Sequence, residues 1–174
     1  MQIEEDRLFE TYFRRYAGRV HAYALRRADG ETAQDVAAET FLIAWRRRSE
    51  MPVEALPWLY GIARGVLANH RRAGLRRSRL AARLAAEPPT TPSPDDHEIL
   101  AALGALREAD REALLLSAWE GLPAKQAASV LGCSPAAYAV RLHRARRRLG
   151  AVLAEAAAEP DRAHPERSIP EVSA

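Results

Sequence analysis

Residues 121–150 read GLPAKQAASVLGCSPAAYAVRLHRARRRLG, and this stretch decides how the chain folds. A helical segment, a short turn at Leu131-Gly132-Cys133 and a second helical segment follow one another with the spacing of a helix-turn-helix. Gly132 can adopt the left-handed conformation that closes the first helix. Ser134 is a good N-cap, and Pro135 is a good first residue for the second helix. The stretch therefore predicts a helix-turn-helix unit.

The second of these helices carries an excess of positive charge. Five arginines fall within 141–150, and the segment from Lys125 to Ala154 has six basic residues and no Asp or Glu. Like charges three or four positions apart repel along a helix, whereas each nucleic-acid phosphate that they neutralise releases counterions. A solvated arginine face is the alternative interpretation, because 25 arginines against one lysine also indicate a GC-rich genome. The turn spacing favours DNA binding.

Composition and hydrophobic spacing predict an all-α chain of two small domains. Alanine, leucine and arginine dominate, and bulky residues recur every three or four positions between Phe9 and Ala24. Further helices are expected over about 32–48, from Pro57, and in four segments after residue 98. The expected organisation is an N-terminal helical domain (1–86), a flexible acidic, proline-rich linker (87–97), a winged-helix-like four-helix domain containing the helix-turn-helix (98–154) and a disordered tail (155–174).

The sequence gives no sign of catalytic or metal chemistry. Cys133 is the only cysteine, so no disulfide within the chain and no cysteine–histidine zinc site are expected. No nucleophile–base pair appears among the scattered histidines, which are His21, His70, His97, His143 and His164. We therefore predict no catalytic residues, no metal, no cofactor and no small-molecule substrate. No secretion signal or membrane-spanning run is evident either, which predicts a cytoplasmic protein without membrane insertion.

Two further charged surfaces are predicted in the N-terminal domain. No acid occurs between Ala55 and Ala86, while seven arginines do, which are Arg64, Arg71, Arg72, Arg76, Arg77, Arg79 and Arg83. Two basic surfaces on one tether suggest two sites on one duplex. In TAQDVAAETFLIAW, Asp35 and Glu39 are four apart and share a helix face. They are either solvated acids or a protein-docking face.

Three motifs, taken in order, resemble those of extracytoplasmic-function sigma factors, which are promoter-recognition subunits of bacterial RNA polymerase. They are DVAAETFLIAW (35–45), PWLYGIARGVLANHRR (57–72) and LGCSPAAYAVRLHRARRRL (131–149). The resemblance covers about 8–86 and 98–150. A stand-alone helix-turn-helix regulator is the alternative, while an enzyme or a purely structural bundle fits the two acid-free basic stretches poorly.

The resemblance implies roles for individual residues. Asp35, Glu39 and Thr40 would bind the polymerase β′ clamp, and the β flap is a second expected contact. The −10 element would be read by the loop over 46–56 and by Arg64, Asn69, His70, Arg71 and Arg72. Trp58 is expected in the core, and a stacking platform for a base is the alternative. The −35 element would be contacted by Ser134, Ala137, Tyr138, Arg141, His143, Arg144, Arg147 and Arg148. An anti-sigma factor is a further expected partner.

Several positions depart from the family pattern. Ala38 and Gly65 stand where glutamine and asparagine are common, Ala127 replaces a larger aliphatic residue, and the −10 loop is about two residues short. These departures leave the promoter sequence open.

Overall fold

The structure, a computed structural model, describes residues 2–81 and 94–157. Within these ranges the chain forms helices only, so the predicted all-α class is confirmed. The α-helices are α1 (Gln2–Leu25), α2 (Gly30–Arg46), α3 (Ala55–Ala81), α4 (Pro94–Ala105), α5 (Glu108–Ala118), α6 (Ala124–Leu131) and α7 (Pro135–Ala157), and a short 3-10 helix covers Arg48–Glu50. We call α1–α3 the N-terminal unit and α4–α7 the C-terminal unit.

The N-terminal unit is a three-helix group around an aromatic and aliphatic core. Val20 and Tyr23 of α1 are buried with Val36 of α2 and Leu59 of α3. The α2 helix begins at Gly30 because the Asp29 carboxylate accepts a 2.9 Å hydrogen bond from the Thr32 backbone N–H, which caps an otherwise unpaired donor. This cap also lowers the pKa of Asp29 through its hydrogen bonds to Thr32.

The turn between α6 and α7 has the chemistry that its sequence predicts. Gly132 has φ of 65°, and the Cys133 backbone N–H donates to the Ala128 carbonyl at 3.0 Å, which closes α6. The Ser134 Oγ accepts a 3.1 Å hydrogen bond from the Ala137 N–H at the start of α7. Ala128 is buried at this corner. The turn of the helix-turn-helix is therefore closed by hydrogen bonds between neighbouring residues.

Two element boundaries differ from expectation. Helix α4 begins at Pro94, inside the segment 87–97 expected to be linker, and a proline suits a first helical position. Helix α7 runs to Ala157, past the expected start of the tail at residue 155. The remainder of the expected linker (87–93) and of the tail (158–174) lies outside the described residues, as do the side chains of Arg76, Arg77 and Arg79, and all of Arg83.

The two units pack directly against each other, which the sequence analysis did not anticipate. Helix α3 contacts α6, the first helix of the helix-turn-helix. One continuous hydrophobic cluster includes Tyr23 and Tyr60 from the N-terminal unit together with Leu116 and Tyr138 from the C-terminal unit. A second, smaller cluster of Leu103, Leu106, Leu114 and Ala145 lies within the C-terminal unit. The described chain is thus in a closed arrangement.

Candidate DNA and polymerase interfaces

Helix α7 presents a row of arginines to the outside. Arg144 and Arg148 are exposed and Arg141 is half-buried. These three residues line an open groove of about 590 Å³ together with Arg107 and Asp110. Because the four guanidinium groups outnumber one carboxylate, the groove can hold an anionic backbone or a base edge.

A second row on α7 lies beside this groove. His143 and Arg147 are exposed and four residues apart, and neither lines the groove. Arg148 is partly neutralised by a short ion pair with Asp110, a buried acid of α5. Ser134 and Ala137 are exposed at the start of the helix. The structure therefore brings most of the predicted −35 residues to one exposed side of α7, in two rows.

Tyr138 is the exception among the predicted −35 residues. Its side chain is 1% exposed, and its hydroxyl donates to the Ala113 carbonyl at 3.1 Å. Burial raises the pKa of this hydroxyl. The predicted DNA contact is wrong for this residue, because Tyr138 lies on the α7 face that also carries Leu142 and Ala145 into the core.

The predicted −10 residues on α3 fall on three different faces. Arg64 and Arg71 line a cavity of about 390 Å³ between α3 and α5. Asn69 and Arg72 lie on another face, where the Arg72 Nη2 donates to the Asn69 Oδ1 at 2.5 Å. His70 Nε2 lies 3.2 Å from the Glu39 carboxylate of α2. In the closed arrangement, Arg64, Asn69 and Arg72 are exposed, whereas His70 and Arg71 are half-buried.

The loop between α2 and α3 is held in place by polar contacts. The Arg47 Nη2 and Glu50 carboxylate are 2.6 Å apart, and this hydrogen bond lowers the pKa of Glu50 and raises that of Arg47. The Tyr12 hydroxyl donates to the Val53 carbonyl at 3.1 Å. Val53 is 90% exposed, so the anchored loop presents one apolar side chain to solvent. Sequence reasoning missed Val53, although an apolar residue between Pro52 and Glu54 was a visible signal.

Trp58, at the start of α3, packs against the core. Its ring is half-buried among the residues of the main hydrophobic cluster, with the Arg47 guanidinium 5.8 Å from the ring centroid. The core position predicted for Trp58 is what the structure has.

Helix α2 presents an exposed acidic and apolar face. Asp35 is exposed and Glu39 is half-buried. Leu42, seven residues after Asp35, lies on the same face and is 49% exposed. Thr40 is fully buried, and its hydroxyl donates to the Val36 carbonyl at 2.6 Å. The predicted polymerase contact by Thr40 is therefore wrong, and sequence reasoning missed Leu42 on the same helix.

A buried set of polar side chains joins the two units, and we call it the interface cluster: Tyr23, Arg27, Tyr60, Glu112 and Glu120. Glu112 accepts hydrogen bonds of 2.8 Å from the Tyr23 hydroxyl and from the Arg27 Nε. Glu120 accepts from the Arg27 Nη1 at 3.0 Å and from the Tyr60 hydroxyl at 3.2 Å. The Arg27 side chain is 2% exposed, and its guanidinium carbon lies 3.5 Å from the Tyr23 ring centroid.

Burial and charge shift the pKa values in the interface cluster. Burial, followed by the Glu112 charge, raises the pKa of Tyr23 well above its ordinary value. Burial and Glu120 raise the pKa of Tyr60 to about 12. Burial alone would lower the pKa of Arg27, but Tyr23 and Glu112 raise it. The tyrosines therefore stay neutral donors and Arg27 stays a cation.

The described residues contain no group of three or more His, Cys, Asp or Glu that could hold a metal ion. Over the same parts of the chain, no helix is long and apolar enough to cross a membrane.

Comparison with known proteins agrees with this geometry. The family models "Sigma-70 region 2" and "Sigma-70, region 4" match residues 12–77 and 96–149. The chain is 35% identical over 160 residues to the RNA polymerase sigma factor CarQ of Myxococcus xanthus, covering 84% of this chain and 90% of that protein. It is 30% identical over 164 residues to the ECF RNA polymerase sigma factor SigL of Mycobacterium tuberculosis, covering 87% and 92%. Against the probable RNA polymerase sigma factor RfaY of Xanthomonas campestris it is 37% identical over 132 residues, 68% of this chain but a third of that protein.

Solved structures share the fold. The sigma factor RpoE bound to the anti-sigma factor NepR from Bartonella quintana matches with a TM-score of 0.68 at 24% identity, over 84% of this chain and 96% of that one. CnrH, in complex with the cytosolic domain of CnrY, matches with a TM-score of 0.61 at 28% identity, over 86% and 90%. The chain therefore belongs to the extracytoplasmic-function group of the sigma-70 family, the class of protein that directs promoter-specific transcription initiation.

Proposed function

We propose that the chain docks on core RNA polymerase through α2 and contacts promoter DNA through α3 and α7. The observation that carries this proposal is the separation of charge: Asp35 lies on an exposed acidic face of α2, and the arginine groove lies on α7. Acids favour a protein partner over DNA, whereas guanidinium groups can contact guanine edges and phosphates. The docking face consists of Asp35, Glu39 and Leu42.

The C-terminal unit would read the −35 element with α7 in the major groove. Arg141 and Arg144 project into the open groove on α7, where they can reach base edges. His143 and Arg147, on the neighbouring row, would contact phosphates of the flanking strand. Ser134 and Ala137, near the helix start, would approach the backbone closely.

The N-terminal unit would read and open the −10 element. Asn69 and Arg72 form an exposed polar pair on α3, and the anchored loop presents Val53 nearby in sequence. Extruding a base costs a few kcal/mol, which contacts to the flipped base must offset. Val53, which is 90% exposed, would supply an apolar contact to such a base. Arg64 and Arg71 lie on another face of α3 and would add contacts to the phosphates of the same DNA.

We further propose that the chain has no catalytic activity of its own and works in the cytoplasm with the polymerase. An anti-sigma factor is a proposed partner, because the solved structures that match are described as complexes of RpoE with an anti-sigma factor and of CnrH with CnrY.

Run-off transcription tests this function. The purified chain is mixed with sigma-free core polymerase and a library of genomic fragments, and the transcripts are sequenced. We expect discrete start sites that share two upstream motifs. A stand-alone regulator would bind fragments without directing any start, and that result would refute the proposal. Core polymerase with the Asp35→Arg chain serves as the matched control, since it keeps the DNA-binding surfaces.

A further inference from the structure

We propose that a cavity beside α5 binds a small organic anion in which one carboxylate is joined to a flat apolar body. The cavity has a volume of about 460 Å³, and its walls come from α3, α4, α5 and the turn after α1. Small-molecule sites in proteins are concave, mostly apolar and of this size. Among the residues that we assign to promoter DNA, only Arg71 lines the cavity. The inference therefore goes beyond the proposed function and does not depend on it.

Two guanidinium groups at this cavity have donors without an acceptor. Arg27 donates through Nε to Glu112 and through Nη1 to Glu120. The Arg27 side chain is 2% exposed, and its Nη2 is buried without a hydrogen-bond partner among the described residues. Arg111 of α5 is half-buried at the same cavity, and it has no ion pair with any carboxylate of the described chain. Because a buried donor without an acceptor is costly, both groups favour an anionic ligand.

The charge of the lining matches one negative charge. Four arginines and two glutamates line the cavity: Arg26, Arg27, Arg71, Arg111, Glu108 and Glu112. Glu120 also forms ion pairs with Arg26 and Arg27, which leaves an excess of a single positive charge. A carboxylate carries one negative charge and accepts the paired hydrogen bonds that a guanidinium group donates. A phosphate monoester carries close to two negative charges at neutral pH and would leave the site negative.

The rest of the wall is apolar and ends in an exposed indole. Leu103 of α4 and Leu115 of α5 are buried and line the cavity. Trp119, directly after α5, lines the same cavity and is 49% exposed. In the described residues, no other aromatic ring pairs with this indole. A flat apolar ligand can therefore stack on Trp119 and gain from the burial of its own surface. A bare inorganic anion could not use this half of the cavity.

Helical spacing places the cationic and the aromatic group at opposite ends of one row. Arg111, Leu115 and Trp119 follow one another at intervals of four residues, so they share a side of α5 and its end. At 1.5 Å per residue the row is about 12 Å long. A ligand along this row would meet a guanidinium group, then a leucine and then an indole. The order predicts a carboxylate at one end of the ligand and an aromatic ring at the other.

The first test titrates the free full-length chain with naphthoate, a carboxylate on two fused rings, in a calorimeter. We expect one site per chain with a dissociation constant on the order of 0.1 mM, as for other ligands of about a dozen non-hydrogen atoms. Acetate lacks the rings, naphthalenemethanol lacks the charge, and adenosine monophosphate replaces the carboxylate by a phosphate. Each of these three should bind at least about tenfold more weakly, because each loses one of the matched features.

Variants of the chain locate the binding site. Arg111→Gln keeps most of the side-chain length and removes the charge, and we expect about a tenfold loss of naphthoate affinity. Arg146→Ala is the matched control, because it removes an exposed arginine of the same unit that does not line the cavity. The chain has three tryptophans, so its NMR spectrum has three indole N–H signals. Naphthoate should shift mainly the signal that Trp119→Phe removes. This last measurement needs only the parent chain and one assignment variant.

Several results would overturn the inference. They are no heat and no indole shift at naphthoate concentrations far above the expected constant, or a shift confined to the other two tryptophans. Equal affinity of Arg111→Gln and Arg146→Ala would remove the cationic end of the site. Equal binding of naphthalenemethanol would mean an apolar pocket without anion recognition, and tighter binding of adenosine monophosphate would mean a phosphate site. Neither DNA nor polymerase is present in these tests, so failure of the proposed function would leave their results unchanged.

Discussion

The Tyr23 hydroxyl donates a 2.8 Å hydrogen bond to the carboxylate of Glu112, a residue 89 positions further along the chain. The same carboxylate accepts from Arg27, whose guanidinium lies against the Tyr23 ring. Glu112 of the C-terminal unit is thus bound by two groups of the N-terminal unit. The Tyr23 hydroxyl lies near the end of α1, and the Arg27 guanidinium lies in the turn that follows α1. Both hydrogen bonds to the Glu112 carboxylate can form at once only in one relative position of the two units, because the two donors come from different parts of the N-terminal unit.

The tyrosines of the interface cluster make the closed arrangement sensitive to alkaline pH. The pKa of Tyr60 is about 12, above its ordinary value of 10.0, so the neutral hydroxyl contributes its full stabilisation below pH 10. This contribution is lost as the pH rises from 10 to 12, since the folded form then has to give up a proton that it binds more tightly. We expect a late tyrosinate absorbance change to which Tyr60 contributes, so that Tyr60→Phe lowers its amplitude by one tyrosine. A titration curve of Tyr60→Phe that superimposes on that of the parent would contradict the assignment.

The docking face on α2 is tested by reversing one charge. Asp35→Arg places a cation on an exposed face that we assign to polymerase, and we expect at least about a tenfold loss of co-purification with core enzyme, or about 1.4 kcal/mol. Thermal stability should stay within about 0.5 kcal/mol of the parent, because exposed substitutions of this kind change little. Gln34→Arg is the matched control, being exposed on the same helix but directed to another side. Equal retention of both variants would count against the face.

Thr40→Val separates burial from docking on the same helix. The substitution keeps the side-chain volume and removes a buried hydroxyl that donates to the Val36 carbonyl, which costs about 1 kcal/mol of unfolding free energy. Polymerase retention should not change, since the side chain has no exposed surface. Retention measured beside that of Asp35→Arg checks this, and a loss at Thr40 with normal stability would restore the contact that the structure argues against.

Local chemistry could be predicted from the sequence, and the contact between units could not. Gly132, Ser134 and Pro135 specify their turn through neighbours only a few positions away, so the turn could be predicted from these residues and their spacing. Glu112, within α5, and Glu120, just after α5, look like ordinary surface acids in the sequence, because their partners lie 85 or more and 60 or more positions earlier. The helical spacing of the sequence relates only residues three or four positions apart, so it cannot reveal hydrogen-bonded pairs that are this distant along the chain.

The two wrong site residues have a different origin. Thr40 and Tyr138 were assigned by resemblance to family motifs, although helical spacing placed both on apolar faces. Tyr138 shares its face with Leu142 and Ala145, and Thr40 lies four residues after the buried Val36. Where a motif and the helical period disagree about exposure, the period was the better guide here, because burial of a large side chain is enforced by packing.

The two rows on α7 predict two kinds of arginine. Arg144→Ala should cost about 1–3 kcal/mol against the preferred −35 sequence and relax the preference at one base pair, since it removes a group that can reach a base edge. Arg147→Ala should weaken binding evenly across sequences and reduce the salt dependence by about one phosphate contact. Binding of both variants to a randomised duplex pool at several salt concentrations distinguishes these outcomes. Identical behaviour would mean that the rows do not divide readers from phosphate contacts.

The cap of α6 gives a stability prediction that needs neither DNA nor polymerase. Gly132 has a left-handed φ of 65°, and an added Cβ would meet no heavy atom within 4 Å, so Gly132→Ala carries a backbone cost without a clash. That cost is about 1–2 kcal/mol.

Gly18→Ala, in the interior of α1 with equally open surroundings, should instead stabilise by about 0.5–1 kcal/mol. Both variants remove one glycine from the unfolded chain, so the difference between their urea midpoints isolates the left-handed conformation. If the two midpoints shift in the same direction by the same amount, Gly132 is not what ends the helix, and the close approach of α6 to α7 must be held by the Ser134 cap and the packing of Ala128 instead.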